Sequence, residues 1–235
     1  MPHYQLYIAN KNYSSWSLRP WLLLSELGIA FDETLVPFNA RGSSFEAYRA
    51  FSPTGKVPCL VDGDITVWDS LAITEYLAER HAGVWPADVV ARAWARSASA
   101  EMHAGFAALR SRCPMSCGMR IKPHAINGDL KRDIDRNDEL WNDGLRRFGG
   151  PYLAGAAFSA VDAFFAPVAF RFQSYGLPMS DDATGYAMRL LSRPAMVSWY
   201  KAALHEPWRE PAHDAEVLAA GSLIADLRRE TRTLT

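Results

Sequence analysis

The feature that most constrains this chain is a change of hydrophobic period at His81. Before it, short alternating runs are interleaved with helical ones; after it, apolar residues recur only at helical spacing. Tyr4 to Ile8 alternates, Ser17 to Leu27 reads as a helix stopped at Gly28, and Phe31 to Val36 reads as a second strand. A polar loop, N-A-R-G-S-S, leads to a short helix around Phe45 to Ala50. Then V-P-C-L-V-D-G-D-I-T-V-W reads as two strands about a tight Asp-Gly-Asp turn, and Asp69 to Arg80 as a helix. The order is βαβα-ββα. Strand, helix, strand implies a parallel pair with a right-handed crossover, and the hairpin adds antiparallel strands. An α/β domain with a mixed sheet and helices on both sides is expected over residues 1–80.

Residues 81–88, H-A-G-V-W-P-A-D, read as a linker. Beyond it, Met102, Phe106 and Leu109, then Ile134, Trp141 and Leu145, then Val161, Phe164, Phe165 and Val168 mark successive helices. No strand is expected there, so residues 89–235 read as an all-α domain whose final short helix runs through Leu227.

Composition narrows the function. Lys and Arg total 25 against 26 Asp and Glu, which lacks the basic excess of a nucleic-acid or membrane-surface binder. No apolar run approaches the roughly 18 residues of a membrane span, and M-P-H-Y-Q-L-Y is no signal peptide. Three cysteines, Cys59, Cys113 and Cys117, are an odd, sparse set that fits a reducing cytoplasm. They lack histidine neighbours, and the six histidines lack metal spacing, so no metal is expected.

Four motifs carry the chemistry. N-Y-S-S-W-S-L-R-P-W crowds Ser14, Ser15 and Ser17 at a strand-to-helix turn. Serines there cap a helix or hold an anion at its N-terminus. Ser17 is the natural cap, with Leu18 first in the helix and Pro20 in its first turn. Spacing does not separate Ser14 from Ser15 as the anion-binding hydroxyl. In K-V-P-C-L, a cis Val57-Pro58 bond would turn Val57 outward, its N–H and C=O free for a peptide-like ligand. Asp69 and Ser70 open the third helix, where they cap it or meet a zwitterionic ligand end. Ser159 and Asp162 form a capping box, read as structural.

As a set, these motifs resemble the glutathione transferase family over almost the whole chain, and the Tyr-Ser-Ser start looks most like its serine-using, zeta class. The resemblance implies a thioredoxin-like first domain, an all-helical second domain, and glutathione as co-substrate. Ser14, or its neighbour Ser15, would hydrogen-bond the glutathione sulfur. Val57 would pair with the cysteinyl unit, beside Lys56 and Pro58. Asp69 would hold the γ-glutamyl ammonium and Ser70 its carboxylate. The helical domain would hold a hydrophobic electrophile near Phe106 and Arg110 to Met115, with Arg110 or Arg112 adding an anionic preference. The long helix around Glu101 to Arg112, which carries His103, would pack against a second copy of the chain. Zeta-like chains place Cys after the serine pair; here Trp16 stands in its place and would wall the cleft. The implied function is thiol transfer to an electrophile, in a cytoplasmic homodimer. The alternatives are a cis–trans isomerase of the maleylacetoacetate type and a transferase-shaped binding protein without turnover.

Overall fold

The computed structural model describes residues 4–38 and 44–228. The expected polar loop lies, up to residue 43, outside the described residues. Strand β1 (Tyr4–Ile8), helix α1 (Ser15–Glu26) and strand β2 (Phe31–Leu35) form the parallel crossover unit. After α2 (Ser44–Arg49), strands β3 (Cys59–Asp62) and β4 (Ile65–Trp68) pair antiparallel, and α3 (Ser70–Ala78) closes the unit. The sheet order is β2-β1-β3-β4, mixed as expected and thioredoxin-like. Gly63 takes the positive φ of 57° that the hairpin turn demands.

The described residues beyond α3 are mostly helical: α4 (Val89–Ala104), α5 (Ala107–Arg112), α6 (Gly128–Phe148), α7 (Ala160–Tyr175), α8 (Asp181–Leu191), α9 (Pro194–His205) and α10 (Pro211–Ala219). Helix α7 is their axis, buried along nearly its whole length and packed against α1, α4 and α8. A helix hydrophobic on all sides belongs in the centre of a bundle. The capping box holds: Asp162 accepts the Ser159 N–H at 2.9 Å.

Three local expectations are corrected. Helix α1 starts at Ser15 with Ser14 as its N-cap, not at Ser17. The Leu18 N–H already bonds to the Ser14 carbonyl, while the Ser17 hydroxyl accepts from the Ala9 N–H at 3.2 Å. Pro20 therefore lies inside the helix. Second, the helix expected through Glu101 to Arg112 breaks at Gly105. Phe106 follows with φ 55°, in left-handed space, and α5 begins after it. The Asp133 carboxylate accepts the Leu109 N–H in the first turn of α5 at 2.9 Å.

Third, the helical region carries a small sheet. Strands β5 (Met119–Pro123) and β6 (Gly221–Asp226) pair antiparallel, so the chain after α10 is a strand and not the expected helix through Leu227. Gly221 is required there, since a Cβ would sit 2.1 Å from the Lys122 carbonyl oxygen. The alternation in M-R-I-K-P spans only five residues, and its partner lies about a hundred residues later.

Candidate functional site

The turn between β1 and α1 is the foundation of the site. Its residues Asn10, Lys11 and Asn12 are polar yet buried, so each needs partners. The Asn10 side chain accepts the Phe38 N–H at 2.7 Å. The Asn12 side chain accepts the Gly118 N–H at 2.9 Å. Glu206, at the end of α9, accepts the Lys11 and Asn12 N–H groups, and the Trp199 indole donates to the Lys11 carbonyl at 2.9 Å. The helical region thus fixes the turn that presents Ser14. Tyr13 is tied further: its hydroxyl donates to Asp214 and accepts from Arg228, each at 2.9 Å.

A cleft of about 740 Å³ opens beside this turn. Ser14, Ser15 and Trp16 form one wall, and Lys56 and Val57 adjoin them. The Val57-Pro58 bond is cis, as anticipated, and Val57 lies ahead of the paired register of β3. Gly105, Ala107 and Arg110 form the opposite wall, with Arg171 from α7 and His213 from α10. Six sequence-predicted residues therefore meet in one cleft. Phe106 does not line it; its ring is buried in the core, and its neighbours Gly105 and Ala107 make the wall.

Asp69 and Ser70, also predicted for the site, are not on the described cleft wall; they stand beside two residues that pack on Trp16, Asp69 next to His103 and Ser70 next to Arg19. Asp69 caps α3 by accepting the Leu71 N–H at 2.8 Å and holds φ 75°, a conformation that costs a non-glycine residue free energy. Its carboxylate lies 3.5 Å from the His103 imidazole. Ser70 is buried and accepts from Arg19 Nη1 at 3.4 Å. The Trp16 ring carries two guanidinium groups, Arg19 at 4.2 Å and Arg110 at 4.5 Å, with the His103 ring edge-on at 5.1 Å. Aromatic faces stabilise such cations.

Ser14 is buried, and its hydroxyl makes no capping bond to the helix backbone. Instead it donates to Ser17 Oγ at 2.7 Å. Ser17 is thus both anchor to β1 and partner to Ser14. The electrostatics around the cleft are positive. Burial, with repulsion from Arg110 and Arg171, lowers the Arg19 pKa to about 9. Burial, with repulsion from Arg110, lowers Arg171 to about 10. Burial also draws His103 below its usual value, against the pull of Asp69. The cysteines stay out of the cleft wall. All three are buried free thiols whose pKa burial pushes up, to about 11 for Cys59 and Cys113. Among the described residues, no group of His, Cys, Asp and Glu has the makings of a metal site.

Sequence reasoning missed Tyr13, Phe38, Arg171 and His213 as site residues. One signal was present: Arg171 interrupts the apolar run F-F-A-P-V-A-F-R-F, and a buried arginine needs a reason. Tyr13 is the sequence neighbour of Ser14, while Phe38 and His213 reach the cleft only through tertiary packing; His213 stacks on Phe38 at 5.1 Å and leans on Tyr13.

Comparison with known proteins bears on this geometry. The family description "Glutathione S-transferase, N-terminal domain" matches residues 13–80. A glutathione S-transferase-like protein of Beauveria bassiana is 27% identical over 86% of this chain and 91% of its own length. A dichloromethane dehalogenase of Methylorubrum extorquens is 40% identical over 63 residues, 26% of this chain and 22% of that protein. Among solved structures, a glutathione transferase homolog from Burkholderia with bound glutathione superposes with TM-score 0.65 at 23% identity, over 86% of this chain and 98% of that one. A theta class enzyme from Xanthomonas axonopodis with glutathione bound gives 0.62 at 24%, over 88% and 99%. Residues 13–80 thus match the N-terminal domain of glutathione S-transferases, a relative that spans most of the chain is glutathione S-transferase-like, and the chain as a whole has the glutathione transferase fold.

Proposed function

We propose that the protein is a glutathione transferase in which Ser14 stabilises the glutathione thiolate for attack on an electrophile. The observation that carries this reading is the Ser14 hydroxyl: buried, at the N-cap of α1, unused in capping, and on the cleft wall. A helix N-terminus favours an anion, and the thiolate is the reactive form of a thiol. With a sulfur bound, the Ser14–Ser17 bond reverses: Ser17 donates to Ser14 Oγ, and the Ser14 proton turns to the sulfur. The Ala9 N–H supports that chain from behind.

The remaining roles are proposed from the family likeness. Val57 offers its backbone to the cysteinyl unit beyond the cis bond, and Lys56 stands next to it. Asp69 and Ser70 receive the γ-glutamyl ammonium and carboxylate. In the reaction a C–S bond forms at the electrophile, the leaving group departs with its bonding electrons, and the thiol proton goes to solvent. Trp16 favours conjugation over thiol-assisted isomerisation: its ring is held between arginines, and no cysteine stands on the cleft wall. The three free thiols fit a cytoplasmic setting; among the described residues no helix is long and apolar enough to cross a membrane.

Thiolate absorbance tests the assignment. In complexes of glutathione with the wild-type protein, ionisation is expected well below the usual thiol pKa of about 8.5. Ser14→Ala removes a hydrogen bond to a charged group, about 1.5–3 kcal/mol, and should raise that midpoint by roughly one to two pH units. Ser15→Ala should leave it in place. A shift in Ser15→Ala alone moves the role by one residue; wild-type protein that ignores millimolar glutathione in calorimetry sinks the function.

A further inference from the structure

Arginines gather at the cleft without their usual counter-ions. Arg171 is only 4% exposed, on the buried helix α7, yet it lines the cleft. Its Nε donates to the Cys113 carbonyl at 2.9 Å and its Nη1 to the Pro167 carbonyl at 3.2 Å. Nη2 has no protein partner among the described residues. Arg110, half-buried on the same wall, spends one nitrogen on the His103 carbonyl at 3.2 Å and lies over Trp16. Among the described residues no carboxylate is within ion-pair distance of Arg19, Arg110 or Arg171. Asp69 is turned to His103. Glu216, the one carboxylate on the described cleft wall, is solvent-exposed.

A buried guanidinium without a counter-ion is costly, and one removed from water attracts an anion strongly. Nature rarely keeps such a group unless something pairs with it. The carbonyl bonds fix the plane of Arg171 and leave one edge open, the geometry that receives a carboxylate oxygen.

We infer that Arg171 and Arg110 form a subsite for a carboxylate carried by the electrophile, so that the preferred second substrate is an organic acid and not a neutral hydrophobe. The inference rests on the transferase reading above. Glutathione also has carboxylates, and the placement separates the two sources. The residues proposed for glutathione, Ser14, Lys56, Val57, Asp69 and Ser70, all come from the first domain. Arg110 and Arg171 come from the helical region on the opposite wall, where the electrophile must approach the sulfur. Phe106, buried in the core, leaves that wall less apolar than the sequence suggested.

The test compares 4-chloro-3,5-dinitrobenzoate with its methyl ester. Both accept a thiolate at the carbon bearing chlorine, with loss of chloride; the ester lacks the charge, carries one more methyl group and activates the ring more, so each kcat/KM is taken relative to the compound's uncatalysed rate with glutathione. The wild-type protein should favour the acid over the ester in kcat/KM by about 10- to 100-fold, the worth of one charge-assisted hydrogen-bond pair. Arg171→Met and Arg110→Gln should each erode that ratio towards one, chiefly through KM for the acid, with the ester's kcat/KM changing much less than the acid's and the KM for glutathione holding. Arg110→Gln, at a half-exposed position, keeps the test decisive if Arg171→Met fails to fold. Calorimetry with 3,5-dinitrobenzoate and its methyl ester gives a readout free of turnover. Binding of the acid but not the ester, lost in the variants, upholds the subsite even if neither chlorinated compound is conjugated, in which case the transferase reading is what fails. Equal acceleration of both compounds over their uncatalysed rates overturns the subsite. A rise in KM for glutathione alone assigns the arginines to glutathione's own carboxylate and also overturns it.

Discussion

Asp162 is fully buried, yet its carboxylate accepts the Leu153 and Ser159 N–H groups and the Tyr186 hydroxyl. Burial dominates those bonds and raises its pKa from 3.8 to about 6. The folded state therefore holds this proton more tightly than the unfolded chain does. Its contribution to stability is fully present below about pH 4, falls as pH rises through about 6, and is level above. The stability difference between wild type and Asp162→Asn, whose amide does not titrate, should shrink across that window in denaturant titrations and stay constant from pH 7 to 8. A difference that grew with pH would mean that the carboxylate is stabilised as an anion by its donors. The box itself was legible in S-A-V-D, because a capping box is a local device. The choice of Ser17 as cap of α1 was not, because the Ala9 N–H that claims its hydroxyl lies on another element.

Elements were legible where their signals were short-range and continuous. Strand β1 and the β3–β4 hairpin lie where alternation and turn chemistry put them, and the parallel pairing of β1 with β2 follows from the crossover. The break at Gly105 was harder, since helical spacing continues across it through Met102, Phe106 and Leu109. The β5–β6 pair was beyond sequence reach, because neither strand has a partner nearby. Helix packing leaves a testable trace at Gly144 on α6, where a Cβ would lie 2.5 Å from both the Leu153 carbonyl oxygen and the Trp94 ring. The backbone atom cannot step aside, so Gly144→Ala should destabilise by about 1–3 kcal/mol despite its better helix propensity. Thermal unfolding measures it; an unchanged or raised midpoint would show that α4 and α6 separate freely.

At the scale of the molecule, the two parts of the chain are locked by polar bolts at several levels. Arg193 pairs with Glu26 on α1, Arg96 with Glu75 on α3, and Glu206 with the β1–α1 turn. Apolar side chains remain uncovered on the outside: Ile65 and Trp68 on the edge strand β4, and Val89 and Val90 at the start of α4. Exposed apolar groups on an open edge favour self-association through a symmetric contact. Sedimentation equilibrium is expected to give twice the 26.2 kDa chain mass. A monomer at all concentrations would remove any role for a second copy. The change of period near His81 is a signal spread over many residues, and the elements follow it, the four-stranded sheet before it and helices α4 to α10 after it. The first-domain side of the cleft was readable in the local motifs that hold Ser14, Val57 and their neighbours; of its far wall, which joins α5, α7 and α10, the segment from Arg110 to Met115 was expected, whereas Arg171 and His213 were not. One of these long-distance joins has a temporal meaning. Arg228, which donates to the Tyr13 hydroxyl and to the Glu206 and Trp208 carbonyls, leaves the ribosome 215 residues after Tyr13. The serine-bearing turn is therefore clasped only once that later segment has emerged. A nascent chain cut short of Arg228 would carry the serines without the clasp, so competence in this protein arrives long after the serines themselves.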